Sequence, residues 1–253
     1  MMLLLANPPA SPGLKRLLQL IRGFGVTKTL IVVMSKIDDH YLRTFDRRYG
    51  VRTSGQISLS NTSFDPSKLR NATSYGPVNA WAFRDLLKKL NLPKTWHFTD
   101  LGCGLGRACL LAAEYGFEKV TGVELAPEFC VVAQENISSY RVPASSRPPI
   151  NIVQGDVLDY CGHTDDDVFF IYRAFSLGFF REVREKLAER AARQKKPLTV
   201  IYSQRLSWVP TREVEEFSAD PAFRKVYQGT SFGQEFYVFQ CGFQFQKNPG
   251  AAS

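Results

Sequence analysis

The chain predicts a three-layer α/β/α sandwich, a mostly parallel, doubly wound sheet of seven strands with an antiparallel hairpin at its C-terminal end. Three observations carry this. From about residue 96, short apolar runs alternate with helix-period segments, the pattern of repeated right-handed βαβ crossovers. The first of them, Phe98-Thr-Asp-Leu-Gly-Cys-Gly-Leu-Gly-Arg107, is a strand containing Asp100 that opens at once into three alternating glycines. Two β-rich segments close the chain, Ala222 to Gln228 and Glu235 to Phe245, separated by Gly229 to Gln234.

The elements follow in order. Ser74-Tyr-Gly-Pro77 leads into a helix through Trp81 to Leu90. The first core strand is Trp96 to Leu101, and the helix after the glycine loop runs from Arg107 to Tyr115, stopped by Gly116. Lys119 to Glu124 is the second strand. Pro127 suits the first turn of a helix reaching about Ser139, followed by a Pro- and Ser-rich loop from Val142 to Pro149. Ile150 to Gln154 is the third strand. Asp167 to Tyr172 is continuously apolar after its first residue, as a central parallel strand buried on both faces should be. A helix from about Gly178 to Arg193 with charged residues along one face precedes a fifth strand, Pro197 to Ser203.

Three glycines at a strand end, with a second acid, Glu124, closing the next strand, describe a nucleoside pocket. Glycines allow a tight turn and close approach to a ligand, and the acid can accept hydrogen bonds from both ribose hydroxyls. A dinucleotide fingerprint needs a further glycine three residues beyond the second. Counted from Gly104 that position is Arg107, and from Gly106 it is Cys109, so neither register fits. A nucleoside with an amino-acid tail fits better: the ammonium and sulfonium of S-adenosylmethionine would favour a carboxylate near the loop, which Asp100 offers.

These residues resemble motifs I and II of the Rossmann-like, class I S-adenosylmethionine-dependent methyltransferases, and Ile150-Asn-Ile-Val-Gln-Gly-Asp-Val157 resembles the third motif. The resemblance implies a cofactor site of Asp100, Gly102, Gly104 and Gly106 as the loop, with Arg107 beside it. It implies Glu124 and Leu125 at the ribose, Asp156 and Val157 at the adenine, and Tyr172 at the end of the fourth strand. Upstream, Phe45-Asp-Arg-Arg-Tyr-Gly-Val-Arg-Thr-Ser-Gly55 resembles a little-characterised group of these enzymes, and the Tyr-x-Pro turn before a helix is similar to that of seven-strand protein-lysine methyltransferases. By that comparison Tyr75 lines the methionine end of the cofactor or the methyl-transfer channel, with Thr53 and Ser54 as lesser candidates for the same lid.

Amine methyltransferases of this kind place a polar residue, Pro and an aromatic after strand four. Here the stretch reads Tyr172-Arg173-Ala174-Phe175, so the aromatic is present and Asn-Pro is replaced. Arg173 cannot accept a proton or a hydrogen bond from an amine. Pointing inward it would suit an anionic acceptor, and pointing outward it leaves an amine open. Tyr75, Arg173 and Phe175 are therefore the candidate catalytic set. Two readings stand: methyl transfer to a nitrogen or oxygen of a protein or small molecule, or a non-catalytic cofactor-binding scaffold.

At 253 residues and 44% apolar content, the chain can bury a full core. The expected layout is a basic amphipathic extension (1–44), a pre-core lid and helix (45–95), a cofactor-binding domain (96–246) and a tail (247–253). Residues 1–95 hold fifteen Lys or Arg against five Asp or Glu, whereas the rest hold seventeen against nineteen, so all the excess basicity precedes the core. Without aromatic interleaving this does not favour nucleic acid. Leu14, Leu17, Leu18, Ile21 and Phe24 around Lys15, Arg16 and Arg22 suit a membrane surface, a transit segment or a helix packed on the core. Five cysteines without metal spacing fit a reducing, cytoplasmic setting. Asp165-Asp166-Asp167 reads as a loop acid run leading into strand four and no metal is expected.

Overall fold

A computed structural model describes residues 43–54, 75–206 and 211–242. The expected amphipathic N-terminal helix, Gly55, Phe245 and the 247–253 tail lie outside the described residues. A helical segment at 43–49 (α1) and α2 (Ala80–Leu90) precede the core. The core then runs β1 (His97–Leu101), α3 (Arg107–Tyr115), β2 (Lys119–Glu124), α4 (Pro127–Ser139), β3 (Ile150–Gln154), α5 (Val157–His163), β4 (Val168–Tyr172), α6 (Leu177–Gln194), β5 (Leu198–Arg205), α7 (Arg212–Ala219), β6 (Phe223–Ser231) and β7 (Gln234–Cys241).

The strands form one seven-stranded sheet in the order β3-β2-β1-β4-β5-β7-β6. The first five are parallel, β7 runs antiparallel to β5, and β6 closes the edge antiparallel to β7. Side-chain alternation divides β4 between two cores. Phe170 joins the layer under α2 and α3, with Phe83, Phe98 and Leu110, while Phe169 and Ile171 join the layer under α6 and α7, with Phe180, Leu187 and Phe217. This is the expected three-layer sandwich.

Local chemistry sets the helix ends. Asn79 caps α2 by accepting from the amides of Trp81 and Ala82, and Asn91 ends it in the left-handed region behind Lys88 and Lys89, whose charge suits that terminus. Gly116 ends α3 in the same conformation, and Pro127 opens α4.

Three elements had no sequence signal strong enough to read. The α1 and α5 segments are about two turns each, too short for a periodic stripe. In α7 only Phe217 is buried. The stretch read as a loop from Gly229 to Gln234 is mostly strand: β6 and β7 are joined by Phe232 and Gly233 alone, at φ +44° and +75°. Two positive-φ residues make the mirror-image turn that matches strand twist, and Phe in its first position hides it from composition.

Phe83 is fully buried, its ring 4.7 Å from Phe170 and 6.1 Å from Phe98. Phe83→Ala is expected to remove about 3–5 kcal/mol of stability in urea denaturation. Trp81→Ala, at a half-exposed position on the same helix, should remove no more than about 1 kcal/mol. Equal effects would mean that α2 does not dock through Phe83.

Candidate cofactor-binding site

The register of β1 on β2 pairs Leu101 with Val123, so the loop after β1 lies against the tip of β2. The amides of Gly102 and Cys103 both donate to the Val123 carbonyl, at 2.9 and 3.0 Å. Gly102 and Gly104 have φ of +80° and +53°, which a side chain would strain. Space forbids one as well. A Cβ on Gly102 would lie 2.8 Å from that of Ala174, and one on Gly104 would overlap the Tyr75 ring.

Glu124 is held by backbone amides. One carboxylate oxygen accepts from Gly104 at 2.8 Å, the other from Leu125 at 2.8 Å and Ala126 at 2.9 Å. Burial still pushes its pKa up. Asp100 is poorer in partners: it is buried, and its recorded donor is the Cys109 thiol at 3.9 Å. Burial first, and then the Glu124 charge, push it up to about 8. Asp156 caps α5 by accepting from the Leu158 amide at 2.8 Å, with Val157 buried beside it.

These residues meet in one cleft across the carboxyl ends of β1 to β4, where a doubly wound sheet binds its ligand. Asp100, Gly102, Gly104 and Glu124 line it, as do Leu125, Asp156 and Val157. Tyr75, Tyr172 and Phe175 complete the expected wall. Gly106 does not line the cleft. It caps α3 at φ +82°, a conformation that a side chain would strain, while a Cβ there would make only ordinary contact with Ala133, at 3.4 Å. Arg107 borders the cleft, but its guanidinium is bound to Asp46, Thr53 and Ser54, at 2.6–3.0 Å. Thr53 and Ser54 are thus spent on Arg107 and are absent from the cleft wall.

Arg173 does not join Tyr75 and Phe175. It sits exposed at φ +42°, outside the cleft lining, and the wall at that point is the small Ala174 packed on Gly102. Phe129 and Phe179 line the cleft without having been singled out. The signal for Phe179 was its four-residue spacing from Phe175, and their rings meet edge to face at 5.2 Å. The acid run lies at the opposite, amino end of the sheet, where Asp166 accepts from Thr99 and Tyr160, and Asp167 pairs with Lys196 at 2.8 Å.

A methyltransferase-domain family model matches residues 98–198, the span from the first core strand to the fifth. The chain carries a class I S-adenosylmethionine-dependent methyltransferase domain. It is similar to YqeM of Bacillus subtilis (strain 168), named as a methyltransferase, at 33% identity over 89 residues, which is 35% of this chain and 32% of that protein. The chain therefore matches about a third of that relative's length. Among solved structures, the methyltransferase yhhF from Escherichia coli aligns over 75% of this chain and all of that one, with a TM-score of 0.50 and 14% identity. The pyocyanin biosynthetic protein PhzM aligns over 64% of this chain and 54% of its own, also with a TM-score of 0.50, at 15% identity. Both likenesses are of fold. Among the described residues, no helix of this methyltransferase domain is long and apolar enough to cross a membrane.

The residues fit S-adenosylmethionine, the family's cofactor. Asp100 is a buried carboxyl whose donor is a thiol at 3.9 Å, so a cationic group could be seated against it, and Glu124 has three of about four lone-pair positions filled, leaving one for a hydroxyl.

A cation seated beside Asp100 would return its pKa toward the ordinary carboxylate range, so binding would release a proton between that range and about pH 8. Affinity for S-adenosylmethionine should therefore rise from pH 6 to 8, approaching about tenfold per unit, and level off above. Asp100→Asn should flatten that slope. Titration calorimetry across this range checks both, and a slope kept by the Asn variant would remove Asp100 from the binding step.

Proposed function

We propose that this protein transfers a methyl group from S-adenosylmethionine to an amine nitrogen. In this reading Asp100 faces the cationic tail, Glu124 accepts from the ribose, and Asp156 accepts from the adenine amino group, with Val157 alongside. The bound cofactor supplies an electrophilic methyl on its sulfonium. What carries the amine assignment is the rest of the wall: Tyr75, Tyr172, Phe175 and Phe179, with no histidine or lysine among the described lining residues.

An alcohol acceptor needs a group to take its proton. The Tyr75 hydroxyl donates to the Thr53 carbonyl, and burial raises its pKa further. The Tyr172 hydroxyl accepts from Gln234 at 2.9 Å. Neither is placed as a base, and the three cleft carboxyls are assigned to the cofactor. An amine can lose its proton to solvent before it binds and then attack through its lone pair. Aromatic faces favour the ammonium that results, by about 0.5–2 kcal/mol. Arg173 stands outside the cleft lining and exposed, so its charge is not set against a cationic product. A protein lysine is the acceptor this wall suits best.

The test is transfer of radiolabelled methyl groups to lysine peptides and small primary amines, compared with serine peptides and phenols. Label is expected on nitrogen, and Phe179→Leu should lower kcat/KM for amines by about tenfold while leaving cofactor affinity unchanged. Label confined to oxygen would overturn the amine assignment. Cofactor binding without transfer to any acceptor would favour the scaffold reading.

A further inference from the structure

A polar network lies behind the glycine loop of the cleft. Arg107 projects from the first turn of α3 with its side chain 1% exposed, and a charge so buried is tolerated only when its donors are met. They are met by the segment before the core. Its Nε donates to the Thr53 hydroxyl at 2.6 Å, and one terminal nitrogen reaches the Asp46 carboxylate and the Ser54 hydroxyl, both at 3.0 Å. The guanidinium also lies over the Phe45 ring, 4.8 Å from its centroid.

Thr53, itself fully buried, passes this grip on. Its hydroxyl accepts from Arg107 and donates to Asp46 at 2.7 Å, while its carbonyl accepts the Tyr75 hydroxyl at 2.8 Å. The Tyr75 ring then occupies the space that a Cβ on Gly104 would need, and the Gly104 amide donates to Glu124. The same loop is gripped from α4. The buried Asn136 side chain accepts from the Arg52 amide at 2.7 Å and donates to the Arg52 and Leu105 carbonyls, at 3.1 and 3.0 Å. Residues 104 and 105 are thus tied to the 43–54 segment by two separate routes.

We propose that Arg107 and Thr53 are positioning residues for the cofactor: through the Tyr75 hydroxyl they fix the ring against Gly104, so docking of the 43–54 segment and cofactor binding are one coupled event. The proposal rests on the cofactor reading above. It assigns the pre-core segment a task that cleft contacts alone do not reveal, since neither Asp46 nor Thr53 lines the cleft.

The experiment is a double-mutant cycle on the full chain. S-adenosylhomocysteine affinity is measured by calorimetry for the wild type, Thr53→Val, Tyr75→Phe and the double variant, and each melting temperature is recorded. Thr53→Val keeps the shape and the carbonyl that holds Tyr75 but removes the hydroxyl that ties Thr53 to Arg107 and Asp46, and Tyr75→Phe keeps the ring and removes its anchor. Each should weaken binding by about tenfold, with the pair no worse than either alone, because both break one chain. Thr53→Ser should restore wild-type affinity. A lower melting temperature with unchanged affinity would mean that the network is structural only, and multiplying effects would mean that the two residues act separately; either overturns the proposal. No binding by the wild type would overturn the cofactor reading and this proposal with it.

Discussion

Gly104 is the position on which the cofactor end of this molecule turns. Its backbone sits where a side chain is strained, its missing Cβ leaves room for the Tyr75 ring, and its amide holds a buried carboxylate. Each demand alone could be met by rearranging a neighbour. Together they leave one residue type, and they place the strand-tip acid, the loop and the aromatic wall within contact of one another. The parallel register of β1 on β2 makes this possible, since it delivers the loop and Glu124 to the same edge of the sheet.

The two ends of the sheet handle buried acid in opposite ways. At the amino end, burial pushes the Asp166 carboxyl up, but hydrogen bonds from Thr99, Tyr160 and Thr164, with the Lys119 charge, hold it below the usual carboxylate range. Arg190 reaches that end from α6, buried and donating to the carbonyls of Thr164 and Asp166. At the carboxyl end, Asp100 has the burial without the donors, and its pKa moves the other way. The first arrangement answers its carboxylate with donors supplied by the fold itself. The second leaves its carboxyl with a thiol at 3.9 Å as its donor, a difference that composition alone does not reveal.

Much of the fold was legible because its signals are local. The glycines after β1, the acid closing β2, the proline opening α4 and the unbroken apolar run of β4 each state their element within a few residues. What escaped were features with no local signature: a two-residue hairpin turn bearing Phe, helices of two turns, and a helix with one buried residue. The site divides in the same way. Asp100, Glu124 and Asp156 sit at strand tips, where topology puts ligands, and they meet as expected. Thr53 and Arg107 lie far apart in sequence and become partners only when the chain is folded, so a stretch that resembles a lid proved to be bonded behind the loop. Arg173 was read from its chemistry, and its position depended on one backbone dihedral that sequence does not state.

The distribution of thiols has a practical side. Four of the five cysteines are buried and Cys130 is half-buried, with none in a disulfide. In such a protein, alkylation of a buried thiol reports how often its surroundings open. Cys103 lies within the glycine loop and on the cleft wall, whereas Cys161 and Cys241 are packed in the opposite helical layer. The chain therefore carries an internal clock for its ligand loop and two reference clocks for the core. The rate at which each thiol is captured would separate breathing of the loop from opening of the whole domain, without adding a label.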